Sequence, residues 1–294
     1  MYLYSMYMKN TLIPSIKINS WGGLGSQLFA WALAIEIGDR FSKRKICLVF
    51  HTGGVTRRHQ ELSFIIPEYD EIVVEDFNQA TTNNQDQNST LLKMLKVYAR
   101  QTLIKIGFVA DANTDQDLKN INFFILNIRG HYSYKELDTK TIQIILDRLI
   151  SLGYVTVNEN SAGKKVIHYR LGDLLSLSSK SHLHPTQFQY ALDNDIDNKD
   201  WTVFSDSPEI AIAELHRAFP HLKFISGGED VWDAISKSIH SEIFLGSNSK
   251  ISIWILLFRS VVSPEKINYM PISLKDNLEK IFGKRFANAE LLFY

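Results

Sequence analysis

The sequence predicts an α/β protein built as two Rossmann-like domains with parallel sheets, and three observations carry that expectation. Short apolar strands alternate with amphipathic helices in both halves of the chain. A polar, glycine-containing stretch, "NENSAGKK", ends at Lys165 and separates one run of this alternation from the next. The length, 294 residues, suits two domains of roughly 150 residues each. The expected division is 1–160 and 161–294, and no internal repeat is visible.

Residues 16–21 read as a strand, and 26–43 show helical periodicity, with Leu28, Phe29, Ala32, Leu33 and Ile35 on one apolar face. "KICLVFH" follows as a second strand, which completes a βαβ unit with a right-handed crossover. "EIVVEDF" and "NFFILNIRG" read as further strands, "LLKMLKVYARQTLIKIG" as an amphipathic helix and "TKTIQIILDRLISLG" as another helix. Beyond the polar stretch, "KVIHYR", "WTVFSD", "LKFISG" and "EIFLGS" read as strands. The helices between and after them are "PTQFQYALDN", "SPEIAIAELHRAF", "EDVWDAISKSI" and "NSKISIWILLFRSV".

Lysine plus arginine equals aspartate plus glutamate, 32 each, so no net field favours nucleic acid or an acidic membrane surface. Anion recognition must then be local. The single cysteine, Cys47, sits in an apolar run and reads as a buried hydrophobe, which suits a reducing cytoplasm. The first residues lack a signal-peptide pattern, and no run of 18 apolar residues occurs, so neither export nor a membrane span is expected.

In open parallel sheets ligands bind beyond the carboxyl ends of the strands. Five strand ends carry chemistry: Gly22, Gly23 and Gly25; His51 with Arg57, Arg58 and His59; His168 and Arg170; Ser205 and Asp206; Ser247, Asn248 and Ser249. Three glycines in four positions allow a sharp turn or the close approach of a ligand. A dinucleotide fingerprint fails, because Leu28 stands at its third glycine and His51 where an acidic residue would hold a ribose.

In "HYRLGD" strand alternation puts His168 and Arg170 on one face, and Arg170 offers a planar fork of donors for a diphosphate. Asp173 can hold that arginine or cap the next helix, and an ordinary Arg170–Asp173 ion pair is the structural alternative. "FSDSPEIA" alone reads as an ordinary helix start with Pro208 in its first turn. Ser247, Asn248 and Ser249 can cap a helix or surround a phosphate with hydroxyls and N–H groups. The D-x-D triplets at Asp115, Asp193 and Asp195 lie in polar, turn-like sequence, and no metal is expected.

Taken together, these segments resemble the bacterial α-1,2-fucosyltransferases, glycosyltransferase family 11, and more broadly the fucosyltransferase superfamily. "GGLGSQLF" from Gly22 to Phe29 is similar to the family's G-G-L-G-N-Q-L-F, with Ser26 for asparagine. "HYRLGD" resembles H-x-R-R-x-D, with Leu171 where the second arginine belongs. "FSDS" and "SNSKISIW" resemble the later "FSDD" and "SNSTFSWW", and "RGHYSYKEL" is a weaker echo of a Gly-Tyr-containing segment.

The resemblance implies a GT-B-like architecture whose domains face a central cleft, with the acceptor on the N-terminal side and the nucleotide-sugar held by the C-terminal half. It implies an inverting, metal-independent transfer of fucose from GDP-fucose to a glycan acceptor in bacterial surface polysaccharide, O-antigen or capsule. The acceptor in such a pathway can be lipid-linked, with at most peripheral membrane contact. Alternatives are another nucleotide-sugar, or a non-catalytic nucleotide- or glycan-binding relative.

In such a transfer negative charge grows on the departing diphosphate, and preorganised donors can contribute on the order of 3 kcal/mol each. Arg170 is the first candidate, followed by backbone groups near Ser247, Asn248 and Ser249 and the turn at Gly22, Gly23 and Gly25. His168 is expected to orient Arg170 or contact the donor, Asp173 completes the catalytic motif, and Asp206 is expected to contact ribose or base. His51, His59 and Glu61 are candidates for a base. Leu171 is expected to remove one charged contact with the donor, which Arg57 or Arg58 could replace.

Overall fold

The computed structural model describes residues 14–42, 44–51, 61–62, 72–77, 90–111, 118–130, 132–156, 164–172, 183–193, 200–288 and 290–294. They form two compact units, Met1–Tyr132 and Ser133–Tyr294.

In the first unit β1 (Ile16–Trp21) leads through the glycine turn into α1 (Leu24–Arg40), followed by β2 (Ile46–His51) and β3 (Ile72–Phe77). Helix α2 (Thr90–Lys105) and strands β4 (Val109–Asp111) and β5 (Asn127–Arg129) complete it. The order is β3-β2-β1-β5-β4, with every pairing parallel. Helix α1 is fully buried at Leu28, Phe29, Trp31, Ala32 and Leu33, which is why glycines and alanines let it sit close to the sheet. The "NFFILNIRG" segment shortens to β5, because Asn122 Oδ1 accepts the Phe124 N–H at 2.8 Å and turns the chain ahead of the strand. The short strand β4 is an addition to the sequence expectation.

The second unit opens with α3 (Thr139–Ser151), β6 (Lys165–His168) and α4 (Gln189–Asp193). It continues with β7 (Trp201–Phe204), α5 (Pro208–Ala218), β8 (Phe224–Gly228), α6 (Val231–Ile239), β9 (Ile243–Gly246) and α7 (Lys250–Val262). Strand β10 (Ile267–Met270), α8 (Lys275–Phe282) and β11 (Leu291–Phe293), none of them anticipated, close the chain. Helix α3 groups with this unit, which begins at Ser133. Its stripe of Ile142, Ile145, Leu146 and Leu149 is buried, and the flanking chain is tied down by Leu137 N–H to Ile281 O (3.0 Å) and Thr156 N–H to Ser236 Oγ (3.0 Å).

The second sheet is parallel throughout, in the order β11-β10-β9-β6-β7-β8. The chain runs outward from β6 through β7 to β8, then returns to the other side of β6 with β9. This is the doubly wound order, and its switch point lies between β6 and β9. Helix α7 is apolar nearly all round and buried at Trp254, Leu257 and Phe258, with one cation inside. Arg259 is wholly buried, and Asn268 Oδ1, Ser241 O and Oγ, Ser238 O and Ile267 O receive its N–H groups. Burial pulls its pKa down to about 9, which still leaves it charged at neutral pH.

Candidate active site

Three adjacent strands, β9, β6 and β7, bring Ser247, His168 with Arg170, and Asp206 to one sheet edge. Arg170 Nη1 lies 3.0 Å from Asp206 Oδ2, with both side chains about a quarter exposed. The other carboxylate oxygen, Oδ1, accepts the Leu171 N–H at 2.9 Å. Asp206 therefore does not cap α5, whose N-terminal residue Ser207 lacks a side-chain cap, and its two oxygens orient Arg170 instead. Gly172 has φ +21°, and a Cβ there would lie 2.0 Å from Asp206 Oδ2, so only glycine leaves room for this pair.

On the other side of β6, the Arg170 N–H donates to Ser247 Oγ (3.1 Å), and the Ser247 N–H donates to Ser252 Oγ (3.0 Å). Ser252 Oγ lies 2.7 Å from His168 Nδ1, and the Ser252 N–H is capped by Ser249 Oγ at 3.1 Å. Donor counting settles the histidine. Ser252 Oγ accepts the Ser247 N–H at 3.0 Å and the Ser249 hydroxyl at 3.4 Å, which uses both its lone pairs, so its single hydrogen goes to Nδ1 and His168 carries its own proton on Nε2. Burial, with Arg170 adding to it and Asp206 opposing it, pulls the His168 pKa down to about 4. His168 is thus a neutral donor, not a base, at neutral pH.

Leu171, where the resemblance expects a second arginine, brings no charge to this edge. Its side chain is fully buried in a core with Ile167, Tyr169, Phe188 and Trp201, on the strand face opposite His168 and Arg170. The leucine completes that core and takes no charge from the side on which Arg170 meets Asp206. Tyr169 anchors the same face through Leu183 O (2.7 Å) and Glu214 Oε2 (2.9 Å). Asp173, Arg57, Arg58 and His59 lie outside the described residues. Arg170 meets Asp206, an ion pair the sequence reading did not foresee.

In the first unit the three glycines do different work. Gly22 has φ +98°, Gly23 is the N-cap of α1, and Gly25 is buried in its first turn. Gly22 O accepts from Gln27 Nε2 (3.2 Å), and Gln27 Oε1 accepts the N–H of Glu61 (2.8 Å). Beside this turn the Trp21 ring stacks on His51, with centroids 4.3 Å apart, and the Arg129 guanidinium lies 5.4 Å from the Trp21 ring centre.

Asn19, buried beneath, donates to Asn127 Oδ1 (2.7 Å) and Ile128 O (3.1 Å), which leaves its Oδ1 to accept from His51 Nε2 at 2.8 Å. Tyr132 donates its hydroxyl hydrogen between Asn19 O (2.6 Å) and Ile128 O (3.1 Å). Burial, and then Arg129, lower the His51 pKa, so this ring is neutral at pH 7 with its lone pair on Nδ1.

Ser252, Asn19, Trp21 and Arg129 were missed in the sequence. The available signals were a serine three residues after a helix cap, inside an apolar helix, and an asparagine inside an apolar strand.

No family model matches the chain, and no curated protein matches it. Among solved structures it is similar to E. coli heptosyltransferase WaaC with ADP: 11% identity, TM-score 0.43, covering 95% of this chain and 93% of that one. It is also similar to POFUT1 in complex with GDP-fucose, at 10% identity and TM-score 0.41, with 89% and 98% covered. NodZ α-1,6-fucosyltransferase soaked with GDP-fucose gives 10% identity and TM-score 0.41, with 83% and 92% covered. These neighbours are glycosyltransferases. At such distances the likeness carries no argument about donor or acceptor.

Proposed function

We propose that the chain is a glycosyltransferase that transfers a sugar from a nucleoside diphosphate to a glycan acceptor. The observation that carries this reading is the group at the β6/β9 switch point. An arginine is held by a carboxylate, a neutral histidine is held as an Nε2–H donor, and a helix N-terminus follows the second strand.

Breaking an anomeric C–O bond leaves both bonding electrons on the diphosphate. Arg170 supplies a fixed positive charge for that leaving group, and Asp206 holds the guanidinium in place before the reaction begins. His168 Nε2–H donates to a sugar or phosphate oxygen. The first N–H groups of α7, ordered by the Ser249–Ser252 cap, face the same developing charge through the helix dipole. Since His168 has no lone pair to offer outward, the base that takes the acceptor proton in an inverting displacement is another group.

The finer assignment is fucose from GDP-fucose, without a metal, in cytoplasmic assembly of bacterial surface polysaccharide. It rests on the motif resemblance, and Leu171, which stands where a second arginine belongs, is the point at which this chain departs from that motif.

Calorimetric titration with GDP, UDP, CMP and dTDP, without metal and in parallel on Arg170→Ala, tests the reading. Saturable GDP binding lost in the variant supports it. Binding of another nucleotide alone moves the donor away from GDP-fucose, and binding of none removes the transferase reading. Turnover of the bound nucleotide-sugar separates an enzyme from a binding protein.

A further inference from the structure

Arg129 ends β5 at the carboxyl edge of the first sheet, beside the switch point between β1 and β5. Among the described residues its guanidinium makes no hydrogen bond and no ion pair, and it rests against the Trp21 ring, 5.4 Å from the centre. Arg170, at the edge of the second sheet, is held by Asp206 at 3.0 Å. The two arginines are therefore in opposite states, one paired and one with its fork of N–H groups unspent.

Water alone would satisfy such a fork, but Asn127 adds a second donor beside it. Strand alternation puts Asn127 on the same face as Arg129, about 7 Å away along the chain. Asn127 Oδ1 accepts from Asn19 Nδ2 at 2.7 Å, and Asn19 Nδ2 also donates to Ile128 O, so the Asn127 oxygen is the atom that faces Asn19. Its Nδ2 makes no hydrogen bond among the described residues. Helix α1 has no acidic residue in its first turn, and its N-cap, Gly23, brings no side chain, so the helix dipole adds to the positive field of this edge.

A small inorganic anion would use the fork and leave the amide unmatched. A sugar that carries an anionic group uses both: the anion takes paired N–H bonds from Arg129, and a hydroxyl oxygen accepts from Asn127 Nδ2. The Trp21 ring, itself stacked on His51, holds the guanidinium in place for this contact.

We propose that Arg129 and Asn127 form a binding site for an acidic sugar. Calling that sugar part of the glycan acceptor rests on the transferase reading above; the binding itself does not.

The test titrates the full chain, without nucleotide, with methyl β-D-glucuronide, glucose 6-phosphate, methyl β-D-glucoside and inorganic phosphate. Calorimetry gives the affinities, and the His51 ring-proton signals in NMR report binding at this edge. An acidic sugar should bind at least about tenfold tighter than the glucoside, and the tighter of the two acidic sugars tells carboxylate from phosphate. Arg129→Met should lower that affinity about 30-fold and leave the glucoside unchanged. Arg129→Lys, which keeps the charge and loses the fork, should lose about fivefold. Asn127→Asp keeps an oxygen for Asn19 and should lose about tenfold or more.

No binding, equal affinity for glucoside and glucuronide, or indifference to Arg129→Met overturns the proposal. Inorganic phosphate binding as tightly as the acidic sugars reduces the site to a bare anion contact and overturns it too. A lower melting curve in Arg129→Met with unchanged sugar binding assigns the cation to Asp111, its register partner on β4, with the same consequence. These outcomes leave the nucleotide titration untouched, and a failed nucleotide titration would remove the acceptor role without removing the site.

Discussion

The two sheets of this molecule share a plan and differ at their edges. Each is wholly parallel, and each has a switch point beside a central strand, between β1 and β5 in the first and between β6 and β9 in the second. Each edge also holds a neutral histidine whose proton is placed by a buried polar partner: Asn19 for His51 and Ser252 for His168.

What surrounds the histidine differs. The first edge carries amides, a stacked indole and Arg129 over that indole, while the second carries an arginine bound to a carboxylate and the N-terminus of α7. The scaffold is common, and the chemistry is set by what the loops present. On the proposed reading the second edge meets the diphosphate, while the first presents amides and the Trp21–His51 stack with Arg129 over it.

The largest expected effect breaks that contrast at its charged end. Arg170→Ala should lower nucleotide affinity about 100-fold or more and turnover by roughly 1,000-fold. Its partly exposed ion pair contributes within about 1 kcal/mol to stability, so the melting curve should hardly move. His51→Ala, on the other edge, should leave nucleotide affinity unchanged. Equal losses in the two variants would erase the distinction between the edges.

Gly172→Ala comes next, because it adds one methyl group 2.0 Å from Asp206 Oδ2 and leaves Arg170 in place chemically. Nucleotide affinity should fall about tenfold, with a stability loss of about 1–2 kcal/mol from the displaced pair and the strained backbone. Unchanged binding would mean that the position of Asp206 does not matter to Arg170.

His168 tests the donor assignment. Glutamine offers an N–H at the reach of Nε2 and asparagine at that of Nδ1, so His168→Gln should keep nucleotide affinity within about threefold while His168→Asn loses about tenfold. The reverse order would place the proton on Nδ1.

The same residue sets an acid limit. Its folded pKa, about 4, lies below the unfolded value of 6.5, so the unfolded chain binds the extra proton between them. Stability should therefore fall as pH drops through that window, by on the order of 3 kcal/mol, and His168→Gln should remove this part of the loss. A histidine in the protein measured by NMR to titrate near 6.5 at this site would remove the donor assignment as well.

Much of this was legible because the signals are local. Strand β1 was read at its observed ends, and β6, β7, β9, α5 and α7 follow from alternation and helical spacing. The placement of His168 and Arg170 on one face, with Tyr169 opposite, follows from the period of a strand. What escaped depends on distant neighbours. Asp206 read as a helix start until β7 set it beside Arg170, and Ser252 read as one more residue of an apolar helix until α7 set it against His168. Leu171 reads as a lost charge, but spacing to Arg170 does not show which core it fills, with Trp201 and Phe188.

The smallest effect sharpens the neutral end of the contrast. His51 is held neutral by burial first and by Arg129 second, so removing the charge in Arg129→Met should raise its pKa only part of the way back towards 6.5. A two-dimensional NMR titration of the histidine ring protons reads this directly. Because a lowered folded pKa costs stability only as pH falls below the unfolded value, the variant should lose less stability than the parent as pH falls below 6.5, and no more above it. The Trp21 stack should persist, since His51 is also fixed by Asn19. If the His51 pKa stays where it was, the field at the first edge does not come from Arg129. The arginine would then act on Trp21 alone, and the first edge would differ from the second in the use of its cation and not merely in the number of its charges.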